Sequence, residues 1–221
     1  MNNVISKHKP YWTDRNFIFS TIKGLSFLVV SLSVNYIAAT YATLNVSNSV
    51  KDILLDNLPV VNVDFIFNEG AFLFLFLFFI AALLLYEPKR LPFMLKGVAL
   101  FVVIRSIFVV MTHLGPFPDQ ITIDPNDWIG VLTSRNDLFF SGHTGLPFLF
   151  ALAFWDSKNL RLIFLSASFV AATSVILGHL HYTIDVFAAF FITYGIFHIA
   201  QKWFAKDYRV FLHGFSHEKN N

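Results

Sequence analysis

Phe139-Phe140-Ser141-Gly142-His143-Thr144 opens one apolar stretch, and His179-Leu180-His181-Tyr182-Thr183-Ile184-Asp185 lies between the two that follow it. Each is a small polar cluster set against long apolar runs. Histidines and a carboxylate at the edge of a membrane-length segment are costly unless something satisfies them, so they are a functional hypothesis by default. The reading of the chain turns on whether these two clusters meet.

Composition sets the class. The chain has 221 residues, 56% of them hydrophobic, with 28 Phe and only 14% charged residues. Mean hydropathy is +0.61. A soluble domain carries roughly 25% charged residues. The apolar residues fall in blocks near the ~20 residues a helix needs to cross a bilayer. They are near-continuous runs, unlike the alternation of a membrane barrel. The expectation is an all-α integral membrane protein with six transmembrane helices. Without cysteine there is no disulfide, thiol nucleophile or thiolate metal site. The net charge of +2 is too small to argue from, and no nucleic-acid partner is expected.

Working outward from the two clusters, spans are expected over about 17–43, 70–86, 93–114, 141–155 and 162–178, with a sixth from the second cluster to about 204. Residues 1–16 form a polar arm, 17–204 the membrane domain and 205–221 a polar tail, in which His213 and His217 read as solvated. Lys23 and Lys96 lie near span starts, where long side chains can snorkel to the surface. Glu69 stands at the entrance of the second span, an ordinary place for a carboxylate at a helix N-terminus. Arg105 is different. It lies twelve residues past Phe93, or ~18 Å deep at 1.5 Å per residue. Facing lipid there costs at least ~2.5–3.5 kcal/mol, so it must face protein or water and wants an anion.

Six spans put both ends of the chain on one side. The arm, the Lys89-Arg90 turn, the Lys158–Arg161 turn and the tail, counted with Lys202 just before it, share that face and hold eleven of the sixteen Lys and Arg. The positive-inside rule makes it cytoplasmic. Both clusters then fall at one depth on the non-cytoplasmic side, together with the Pro- and Asp-rich loop over residues 115–138. This convergence uses hydropathy and charge alone.

The cluster chemistry follows from spacing. His181 and Asp185 are four apart, and on one helix face their Cβ atoms would lie about 5–6 Å apart. Such a carboxylate can hold one ring nitrogen and leave the other as a nucleophile. His143, from another helix, can act as general acid and base. Ser141, Gly142 and Thr144 open a helix whose N-terminal N–H groups can cradle an anion. Arg105 can offer a charge-assisted fork to phosphate oxygens. Together these describe phosphoryl transfer, which needs mostly positioning and charge neutralisation. Two other readings stand beside it. The histidines with Asp185 could hold a divalent metal. A proton-coupled transporter could use His, Arg and Asp, although its groups belong at the midplane rather than at one edge.

The same residues carry a resemblance. Ser141-Gly142-His143, then His181 and Asp185, is similar to the type 2 phosphatidic acid phosphatase superfamily. Asp137-Leu138-Phe139-Phe140-Ser141-Gly142-His143-Thr144, with His179, His181-Tyr182-Thr183-Ile184-Asp185-Val186, resembles its sphingomyelin synthase branch more closely. Arg105, Thr112, Leu114 and Pro116 give a looser match to a third-helix motif of that branch. The resemblance covers about residues 95–205. It implies a six-helix bundle and no metal or cofactor. His181 would be the nucleophile forming a phosphohistidine, Asp185 its partner and His143 the acid and base. Arg105, Ser141, Gly142, Thr144, His179 and Asp137 would surround the phosphate. The substrates implied are a phospholipid and a lipid alcohol such as ceramide or diacylglycerol, or water in a phosphatase. The phosphatase branches have Arg where this chain has Val175, and their Lys-x6-Arg-Pro motif is missing here: eight residues separate Lys96 from Arg105, and Ser106 follows. These departures favour the transferase branch.

Overall fold

The computed structural model describes residues 2–63, 77–121 and 138–217. Among these residues every regular element is helical. The helices are α1 (Asn2–Thr13) and α2 (Arg15–Leu44), then α3, a helix over residues 77–81 that widens into a π turn at Ala82–Tyr86. A 3-10 turn at Pro88–Arg90 leads into α4 (Leu91–Met111). Next come α5 (Gly142–Ala153), α6 (Lys158–Leu177), α7 (Thr183–Trp203) and α8 (Ala205–His213).

Among the described residues, four helical stretches are long and apolar enough to cross a membrane: Arg15–Leu44, Pro88–Met111, Lys158–Leu177 and Thr183–Trp203. These are the expected first, third, fifth and sixth spans, with ends moved by a few residues. The fourth is shorter than expected. α5 has 12 residues, so at 1.5 Å each it rises ~18 Å against the ~30 Å of a hydrocarbon core. Most of its apolar surface is buried by neighbours, and Leu149, Phe150 and Ala151 are core residues. Residues 70–76 of the second span, with Glu69, Asp137 and Arg135, lie outside the described residues.

The helices start and pack for local reasons. Asp14 caps α2, its Oδ1 accepting the Phe17 N–H at 2.8 Å. The buried stripe of α2 is mostly small: Thr21, Gly24, Ser31, Ala38 and Ala42. In lipid, association rests on packing rather than on the hydrophobic effect, and small residues let backbones approach. A Cβ at Gly24 would stand 2.8 Å from Leu95 Cβ, so α4 can lie this close only against glycine. Around α4 the core is aromatic. Phe79 stacks on Phe150 at 3.5 Å, and Phe101 meets Phe140 edge to face.

Two expectations about charge change. Lys96 does not snorkel. It is 7% exposed, and its Nζ lies 2.6 Å from Asp207 of α8. The tail is not wholly solvated either. Phe211 of α8 is buried, and Tyr208 and Phe211 both pack on Phe93. Their i, i+3 spacing gives this short helix one apolar face.

Candidate active site

The two polar clusters meet. Ser141, the N-cap of α5, donates its backbone N–H to the Asp185 carbonyl at 3.2 Å, which ties the start of α5 to the first turn of α7. The rings of His143 and His181 then face each other with centroids 6.2 Å apart. His181 Nδ1 lies 3.4 Å from Asp185 Oδ2. That is longer than a settled hydrogen bond; catalytic hydrogen bonds often tighten only once substrate is bound. Asp185 is fully buried, and its Oδ2 also accepts the Tyr182 N–H at 3.0 Å. The carboxylate therefore caps α7 and faces the imidazole at once.

Each position has a local cause. α6 ends at Leu177, and the chain reverses through His179, whose φ is +53°. Non-glycine residues rarely adopt this left-handed conformation, and histidine is among those that tolerate it best. The turn closes when Leu180 N–H donates to the Val175 carbonyl at 2.8 Å. It delivers His181 just before the α7 N-cap, Tyr182. Val175, where the phosphatase branches would have arginine, is fully buried and receives this bond, so it serves the turn.

Arg105 faces protein, as its depth required. It is 9% exposed, and its Nε donates to the Phe140 carbonyl at 2.9 Å, one residue before the α5 cap. A Cβ on Gly142 would sit 3.2 Å from that Nε. The absence of a side chain there lets the guanidinium lie against the first turn of α5. Ser141 and Thr144 are both buried. Ser141 Oγ accepts the Thr144 N–H at 3.3 Å and the Thr144 hydroxyl at 3.2 Å. Both hydroxyls thus help to shape the cap. His179 is 2% exposed, with its ring edge-on to Phe117 at 5.1 Å. Neither of its ring nitrogens has a hydrogen-bond partner among the described residues.

The sequence reading thus brought His143, His181, Asp185, Arg105, Ser141, Gly142 and Thr144 to one junction, with His179 beside it. Asp137 lies outside the described residues. Among the described residues no three His, Cys, Asp or Glu side chains form a metal-binding group.

Two loop contacts were missed. Asp52 accepts from Thr183, taking its N–H on Oδ2 at 2.7 Å and its hydroxyl on Oδ1 at 2.5 Å. Tyr182 Oη accepts the Val50 N–H at 3.2 Å and donates to the Gly115 carbonyl at 2.8 Å. Burial alone would raise the Asp52 carboxyl. Hydrogen bonds from Thr183, Leu55 and Leu54 outweigh burial and hold it below the ordinary carboxylate range. No local signal marks Asp52 among Lys51, Asp52 and Asp56.

Comparison with known families matches this same region. Residues 135–202 match the PAP2 superfamily C-terminal family. The match contains both clusters, α5, α6 and all but the last residue of α7, and it supports lipid phosphatase or phosphotransferase chemistry at a coarse level. It leaves out α1 to α4, and with them Arg105. No curated protein and no solved structure matches the chain.

Proposed function

We propose that the protein is a membrane-embedded phosphotransferase that moves a phospho-headgroup from a phospholipid to a lipid alcohol, as sphingomyelin synthases do. The observation that carries this reading is the facing pair His143 and His181, with Asp185 behind His181. Asp185 takes the Nδ1–H of His181 and leaves Nε2 with its lone pair outward. Nε2 attacks phosphorus in line, and the bond from phosphorus to the diacylglycerol oxygen breaks. Protonated His143 gives its proton to that departing oxygen. Neutral His143 then takes the proton of the acceptor hydroxyl, whose oxygen displaces His181 from phosphorus. Both enzyme groups return to their starting states. A positioned acid–base group of this kind is worth ~10²–10⁴-fold.

The phosphate belongs at the start of α5. The N-terminus of α7 already holds two carboxylates, Asp52 on Thr183 and Asp185 on Tyr182. The first turn of α5 holds no carboxylate and has the Arg105 guanidinium alongside, at a helix end that favours an anion. Arg105 thereby supplies the charge that phosphoryl transfer requires.

A match to the PAP2 superfamily serves a phosphatase equally well, with water in place of the acceptor alcohol. The deciding experiment is headgroup transfer by purified protein in liposomes with ceramide, diacylglycerol or no acceptor, read by lipid mass analysis. An acceptor-dependent new phospholipid is expected. Release of phosphate or phospho-headgroup without acceptor dependence would make the protein a hydrolase. Turnover that survives in His181→Ala would end the phosphohistidine mechanism.

The charge pattern supports cytoplasmic termini and a site on the opposite leaflet. In intact cells Ile53→Cys should label with an impermeant thiol reagent and Lys158→Cys should not. The reverse pattern would invert the topology.

A further inference from the structure

The geometry points to Asp52 as a positioning residue that holds the start of α7, and through it His181 and Asp185, in register with His143. This rests on the proposed use of those three residues. Asp52 lies far outside residues 135–202, where the family match falls. Its carboxylate reaches across 131 sequence positions to take both the N–H and the hydroxyl of Thr183. Thr183 is the first residue of α7, two residues after His181 and two before Asp185.

Asp52 is itself held. Its Oδ1 accepts the N–H groups of Leu54 at 2.9 Å and Leu55 at 3.2 Å, and its own N–H donates to Asp56 Oδ2 at 3.1 Å. The loop is seated further by Val61 N–H, which donates to the Leu177 carbonyl at 2.9 Å. Leu55 packs with Phe117, Leu138 and Tyr182 in a separate small core. The loop therefore grips both ends of the turn that carries His181. A free α7 terminus could rotate about its axis; one bidentate carboxylate on residue 183 removes that freedom. An asparagine cannot reproduce the whole set, because its NH2 must face N–H donors, either Thr183 on one side or Leu54 and Leu55 on the other, and cannot accept from them.

The test compares Asp52→Asn with Leu55→Ala, which loosens the same loop without touching the hydrogen bonds. Asp52→Asn should lower kcat at least tenfold with KM for the lipid donor nearly unchanged and little shift in Tm. Leu55→Ala should lower Tm with a much smaller change in kcat. Thr183→Ser, which keeps the hydroxyl, should stay nearer wild-type than Thr183→Val. A second readout needs no turnover. In nitrogen-15 spectra of the histidine rings, Asp52→Asn should shift the His181 signals and leave those of His198, farther along α7, in place. A kcat within twofold of wild-type, or a fall that only tracks Tm as in Leu55→Ala, would overturn the proposal. Unmoved His181 signals would overturn it too. If wild-type protein turns over no lipid while the His181 signals still shift, the positioning stands and the proposed function fails.

Discussion

The two ends of the bundle treat buried polar groups in opposite ways. At the end where α8 docks, such groups are paired, Nε of Arg90 excepted. Lys96 Nζ reaches Asp207 and Ser20, each at 2.6 Å, and the Ser20 hydroxyl also meets Asp207. Arg90 Nη2 meets Asp156 at 2.6 Å and Nη1 the Ala153 carbonyl, while its guanidinium lies 5.0 Å and 4.9 Å from the rings of Phe154 and Phe211. The remaining Nε of Arg90 makes no hydrogen bond and has only Glu87 at 3.7 Å. At the other end both nitrogens of His179, Nδ1 of His181 and Oδ1 of Asp185 are buried without a hydrogen bond among the described residues. Leaving such a group unsatisfied costs about 1–3 kcal/mol. The paired end has polar groups that define the fold. The unpaired end carries a cost that makes sense when a substrate supplies a partner for His179 and draws His181 Nδ1 and Asp185 into one hydrogen bond.

The strongest way to break this comparison is His181→Asn. Removing a nucleophile should cut kcat by roughly 10⁴-fold or more, measured as headgroup turnover in liposomes, with Tm unchanged. The largest stability effect belongs at the other end. Lys96→Met strands Asp207, whose side chain is only 15% exposed. It should destabilise by about 3–5 kcal/mol in denaturant titrations in detergent. Turnover per folded molecule should stay within twofold. Adding Asp207→Leu should recover most of the loss, because it removes the stranded charge. If Lys96→Met instead kills turnover without unfolding, the division of labour between the ends is wrong. His179→Phe sharpens the same point. It removes two unpaired buried nitrogens, a gain of about 1 kcal/mol, but puts phenylalanine at a φ of +53° that it tolerates less well than histidine, so stability should change little while turnover falls at least tenfold.

How much of this was legible depended on the distance over which each signal acts. Hydropathy is local, so Arg15–Leu44 and Lys158–Leu177 could be read to within a few residues. Segment parity then brought His143 and His181 together, and the depth of Arg105 required a partner, found at Phe140. The short α5 hid because its apolar letters match those of a lipid-facing helix, although core neighbours bury them. Lys96 looked like a snorkelling residue because its partner lies 111 positions away on a segment that reads as solvated. Asp52 was silent for the same reason. A carboxylate in a polar loop looks alike whether water or a helix terminus receives it.

Asp156 gives the smallest and finest test, because it is the most exposed partner at the paired end. Its hydrogen bond from Arg90, more than the opposing effect of burial, holds its carboxyl below the ordinary range. A carboxyl whose folded pKa is depressed adds stability above its unfolded pKa, ~3.9, and loses it as pH falls through the folded value. The Tm gap between wild-type and Asp156→Asn should therefore be widest near neutral pH and shrink as the medium is acidified below about pH 4. With 69% of the side chain exposed, the gap should be small and shrink further in high salt. The two chains should show the same kcat at neutral pH, since Asp156 belongs to the paired end. The absence of a gap at neutral pH would mean that Arg90 is held by its ring contacts and the Ala153 carbonyl, with Asp156 adding nothing.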